Sequence, residues 1–100
     1  MEVINSKLKT ISALCRKYRV KHLSAFGSVT RNDFSADSDV DFIVDFNEDD
    51  PVRYSDLYFE FKERLEKLLN RKIDLLEERA VKNPFFKKEL DQTKVKIYGS

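Results

Sequence analysis

Hydrophobic and polar residues alternate along this chain with two different periods, and the changes between them divide it into elements. Leu8, Ile11, Cys15 and Tyr18 recur at helical spacing behind Asn5 and Ser6, either of which can cap a helix, so a first helix is expected over about 6–18. Residues 20–26 then read as a strand. Val40, Phe42, Val44 and Phe46 alternate with Asp39, Asp41, Ile43 and Asp45, the period of two of a half-buried strand. Asp50-Pro51 offers a cap and a first-turn proline to a long helix, whose stripe of Leu57, Phe61, Leu65, Leu68 and Leu69 runs to about Asn70. Residues 72–76 form a third strand with Ile73 and Leu75 on its core face and Asp74 on the other. Asn83-Pro84 repeats the cap signal for a last helix to about Asp91, and residues 94–98 can add an edge strand. The expectation is an α/β (α+β) domain: a small mixed sheet with helices on one face.

One hundred residues are one domain's worth of chain, so 1–100 reads as a single domain. A core of this size does not easily enclose a deep pocket, and a shallow or shared site is expected. The 19 Lys and Arg nearly balance 18 Asp and Glu, which argues against binding nucleic acid through bulk charge. The acids are not spread evenly. Eight fall between Asp33 and Asp50, a stretch without Lys or Arg. A lone Cys15, an N-terminus without signal-peptide character and no long apolar run point to a cytoplasmic protein without a membrane segment.

The candidate chemistry lies in that acidic stretch. Alternation puts Asp39 and Asp41 on one strand face, their Cα atoms about 6.6 Å apart, while Val40 and Phe42 anchor the other. A neighbouring strand bearing Asp74 would bring a third carboxylate. Three such charges together repel, raise at least one pKa and cost stability, whereas Mg²⁺ accepts all-oxygen ligation and keeps waters for substrate phosphates. Upstream, Gly27 follows a strand and precedes Ser28, in a chain with only two glycines. It allows the backbone to approach an anion closely; Ser28 offers a hydroxyl and Arg31 a positive charge.

Phe26-Gly27-Ser28, ten residues, then Asp39-Val40-Asp41-Phe42 resembles the signature of DNA polymerase β-type nucleotidyltransferases. With Ser38 and Val44 it is similar to the smallest branch, the minimal nucleotidyltransferases of bacteria and archaea. The resemblance spans nearly the whole chain. It implies the polymerase β-like fold, an NTP substrate, two Mg²⁺ ions on Asp39, Asp41 and Asp74, and phosphates held by Gly27 and Ser28. It further implies an antitoxin that transfers AMP from ATP to a tyrosine of a HEPN ribonuclease toxin, the partner supplying the site's other wall. One departure is Asn32, where the family commonly has glycine; Asn tolerates left-handed backbone better than most residues.

Two other functions compete. One is a non-catalytic antitoxin that neutralises its partner by contact alone. The other, addition to nucleic-acid 3′ ends, is disfavoured because no aromatic and basic strand face stands out. Arg31 is open between phosphate contact and an ion pair with the acidic stretch. His22, without a second His or a nearby Cys in its strand, reads as structural. Cys15 reads as core, and Asp45, Glu48 and Asp49 as solvated loop with Asp50 a cap. Tyr54, Tyr58 and Tyr98 are open between packing and contact with an acceptor or base.

Overall fold

The computed structural model describes residues 1–31, 34, 35 and 37–99. Helices α1 (Glu2–Asn5) and α2 (Leu8–Lys17) lead into strand β1 (Val20–Phe26). A four-residue 3₁₀ turn (Gly27–Thr30) follows, then β2 (Val40–Phe46), α3 (Pro51–Leu69), β3 (Ile73–Glu77), a short 3₁₀ turn (Glu78–Ala80), α4 (Pro84–Thr93) and β4 (Val95–Gly99). The sheet order is β3-β2-β1-β4. Strand β1 runs antiparallel to both its neighbours, and β2 pairs with β3 in parallel.

Both proline-flanked caps form. The Asp50 side chain accepts from the Arg53 N–H at 3.2 Å, and Asn83 Oδ1 accepts from the N–H groups of Phe85 and Phe86 at 3.0 and 3.2 Å. Helix α3 stops at Asn70, whose φ of 51° is left-handed. The N-terminus departs from expectation. Neither Asn5 nor Ser6 caps α2; Lys7 occupies that position without a side-chain bond, and residues 2–5 make their own turn. That turn buries Ile4 completely. Burying such a side chain contributes about 1.5–3 kcal/mol, more than the roughly 1 kcal/mol of a typical cap.

The core lies between one sheet face and helices α2 and α3. Ile11, Cys15, Leu23, Val40, Phe42, Val44, Phe46, Phe61 and Leu65 are all at or below 1 % exposed. Phe46 meets Phe61 and Tyr54 edge-on at centroid distances of 5.8 and 5.4 Å. Both α3 and α4 connect parallel strands, but α3 carries the chain outward to β3 whereas α4 carries it back across the sheet to β4. Right-handed crossovers in opposite directions must use opposite faces. Accordingly Leu90 of α4 and Ile43 of β2 are buried outside the main core cluster, and Asp91 and Lys94 line a cavity with His22 and Ser24. Helices α2 and α3 thus occupy the expected face, and the short α4 lies across part of the other.

Candidate active site

The face opposite the core presents residues in rows set by strand register. Phe26, Asp41 and Asp74 form one row, and Ser24, Ile43 and Leu76 the next. Asp39 precedes β2 by one residue and is exposed, as is Asp74; Asp41 is half-buried. Parallel pairing of β2 with β3 therefore brings Asp74, distant in the chain, to the neighbouring pair Asp39 and Asp41. The predicted repulsion is present. Burial pushes the Asp41 carboxyl above the ordinary carboxylate value, the charges of Asp74 and Asp39 push it further, and Arg31 pulls it back.

Gly27 closes the site from the β1 side. Its φ of 72° is left-handed, and a Cβ there would collide with the Asp41 carboxylate. Only glycine meets both demands, so the turn after β1 lies directly against the acid. Val29, 1 % exposed, plugs this turn into the core, and Thr30 Oγ1 donates to the Gly27 carbonyl at 2.8 Å. Ser28 is half-buried in the same turn; Arg31 follows it, exposed, its N–H donating to the Ser28 carbonyl at 3.0 Å. Asn32 lies outside the described residues.

Several residues outside this row resolve differently. Asp45 and Glu48 are not simply solvated, because Arg79 Nη2 contacts Asp45 Oδ1 at 2.9 Å and Arg19 donates to Glu48 at 2.9 Å. Both pairs join residues about thirty positions apart, beyond the reach of local sequence patterns. His22 pairs with Glu78 at 3.2 Å, and their ligand-type atoms lie within 4.8 Å of those of Asp45. The contact of His22 with Glu78 and the ion pair of Asp45 with Arg79 account for this cluster. Tyr54 is buried under Arg79, whose guanidinium carbon is 4.0 Å from the ring centroid. The Tyr58 hydroxyl donates to the Leu75 carbonyl, and Tyr98 packs against the core. All three tyrosines pack into the fold. Cys15 is fully buried, which pushes its thiol up to about 12.

Local sequence gave no signal for Arg71. Its Nη1 donates to the carbonyls of Ser35 and Ser38 at 3.2 and 3.3 Å, just ahead of Asp39.

The nucleotidyltransferase domain model matches residues 8–97. The chain belongs to the nucleotidyltransferase domain family. A Methanocaldococcus jannaschii protein provisionally named a protein adenylyltransferase is 38 % identical over 76 residues, covering 76 % of this chain and 75 % of the relative. Protein adenylyltransferase MntA of Thermococcus cleftensis is 34 % identical over 70 residues, covering 70 % and 68 %. Among solved structures, a minimal nucleotidyltransferase superposes with a TM-score of 0.78 at 26 % identity, over 94 % of this chain and 92 % of its own. The MNT antitoxin complex with a tri-AMPylated HEPN toxin from Shewanella oneidensis matches with a TM-score of 0.66, over 96 % and 72 %. At 17 % identity it shows the shared fold alone. This nucleotidyltransferase therefore has the polymerase β-like minimal fold, and among its described residues no helix is long and apolar enough to cross a membrane.

Proposed function

We propose that this nucleotidyltransferase moves AMP from ATP onto a tyrosine hydroxyl of a HEPN-type toxin, and so acts as its antitoxin. The observation that carries the reading is the Gly27 turn seated against Asp41, in the row that also holds Asp74. The relatives named as protein adenylyltransferases and the toxin complexes of the same fold support the protein acceptor.

The donor set fits magnesium. Carboxylates are hard oxygen ligands, and the Asp41 carboxyl, raised first by burial and then by the charges of Asp74 and Asp39, would be relieved by a cation. Asp39, Asp41 and Asp74 would hold two magnesium ions, with the triphosphate held by Gly27, Ser28 and Arg31. Magnesium, when bound, supplies the positive charge that neutralises the triphosphate and the departing pyrophosphate.

In this reading the chain orients ATP so that the toxin hydroxyl oxygen attacks the α-phosphorus in line. A new O–P bond forms and the α–β phosphoanhydride bond breaks, releasing pyrophosphate. Asp74, exposed at the row's end, takes the hydroxyl proton. The partner covers the carboxylate row, where Asp39 and Asp74 are exposed.

The test is incubation of the chain with α-labelled ATP, Mg²⁺ and a cognate HEPN protein. Label should appear on a toxin tyrosine with the native chain and vanish with the Asp39→Asn/Asp41→Asn double variant. If that variant neutralises the toxin as strongly as the native chain, without label, inhibition by contact alone replaces this reading.

A further inference from the structure

We infer that Arg71 is a positioning residue that fastens the segment delivering Asp39 to the strand carrying Asp74, and thereby sets the spacing of the carboxylates. The inference rests on the proposal that those carboxylates bind metal.

Arg71 sits three residues before Asp74, and its side chain reaches the residues ahead of β2. Besides its bonds to the Ser35 and Ser38 carbonyls, its guanidinium carbon lies 4.8 Å from the Phe34 ring centroid. Phe34 packs against the core, so this contact ties the segment to a fixed point. Ser38 is the residue immediately before Asp39. Its own N–H donates to the Ser35 carbonyl at 3.1 Å, and its Oγ accepts from the Ser35 N–H at 3.1 Å, closing a tight turn. Arg71 thus holds both Ser35 and Ser38.

The arginine is itself held. Its N–H donates to the Glu66 carbonyl at the end of α3, and the Ile73 N–H donates to Glu66 Oε2 at 3.2 Å. Beside it, the Lys72 carbonyl accepts from the Val40 N–H at 3.2 Å, the first stitch between the two acid-bearing strands. Ser35 and Asp37 are exposed. Polar clamping by Arg71 adds to the anchor that Phe34 provides. A guanidinium suits this task because one terminal nitrogen serves two carbonyls while the planar face stacks on a ring, and an ammonium has no such face.

Mn²⁺ binding, followed by electron paramagnetic resonance on the whole chain without ATP, tests the inference apart from activity. Removal of an outer partner that orients metal ligands typically weakens binding 10- to 100-fold. Arg71→Ala is therefore expected to weaken Mn²⁺ binding about tenfold or more. The Val40 amide should exchange hydrogen faster while the β4 amides keep their protection. Arg71→Lys should recover only part of the loss, because an ammonium can reach the carbonyls but has no planar face to lay on Phe34. Unchanged Mn²⁺ affinity in Arg71→Ala, or full restoration by lysine, overturns the inference. A native chain that binds Mn²⁺ but labels no toxin would sink the transfer reading and leave this one intact; a native chain that binds no Mn²⁺ sinks both.

Discussion

Asp41 and Asp45 lie four residues apart on the same face of β2, and the fold treats them in opposite ways. Asp45 is met by the Arg79 guanidinium, which also donates to the carbonyls of Phe46 and Glu48 and covers the Tyr54 ring. The neighbouring His22 and Glu78 satisfy each other. Asp41 instead has Asp39 and Asp74 as neighbours, with a turn so close that only glycine fits. One end of the strand is built for stability. The other holds like charges together, an arrangement that costs stability and that a bound cation would relieve.

The largest expected effect separates these two aspartates. Asp41→Asn should lower AMP transfer by about 10³-fold or more, since metal-borne charge stabilisation amounts to several kcal/mol. Asp45→Asn should leave the transfer rate within about threefold of native, because its partners are structural. It should cost about 0.2–1 kcal/mol in urea unfolding, since Arg79 is exposed and keeps the carbonyls of Phe46 and Glu48. Equal losses of activity in the two variants, at matched stability, would erase the distinction between the ends.

Gly27→Ala tests the acid-bearing end more finely. The added methyl meets both the left-handed φ and the Asp41 carboxylate, so the backbone or the acid must move. A non-glycine residue in that conformation costs about 1–2 kcal/mol. Displacing a reacting group by about 1 Å costs on the order of 10²-fold in rate. Circular dichroism should report a folded chain, with turnover reduced about 100-fold. Native turnover in Gly27→Ala would mean that contact between the turn and Asp41 is incidental.

How much of this was legible beforehand follows the range of each interaction. The alternation of Asp39 to Phe46 fixed which side chains face away from the core, and the single internal glycine marked the turn, because both signals are local. The caps at Asp50-Pro51 and Asn83-Pro84 were local too. The face taken by α4 was not, since it depends on β4 joining the sheet beside β1 and not beside β3. Arg71 and Arg79 reach partners more than thirty residues away, and nothing in the neighbouring residues announces either contact. The turn of residues 2–5 escapes a local reading for a different reason: Asn5 and Ser6 offer caps, but burial of Ile4 decides.

The smallest expected effect concerns stability, and its sign distinguishes a functional acid from a structural one. In the folded chain, burial and then the charges of Asp74 and Asp39 hold the Asp41 carboxyl above its ordinary value, so folding tightens its hold on the proton. The resulting stabilisation is complete below the unfolded value of about 3.9 and is lost as pH rises through the raised folded value. At neutral pH the ionised acid therefore works against the fold. Asp41→Asn removes that charge, so without divalent ions it should melt a few °C above the native chain at pH 7, and the advantage should shrink as pH falls toward 4. Adding Mg²⁺ should raise the native melting temperature and leave the variant nearly still, because only the native site gains a ligand. Thermal melts of both proteins across that pH range, with and without Mg²⁺, read all of this directly. A variant less stable than the native chain in the absence of metal would mean that Asp41, like Asp45, is there to hold the fold together.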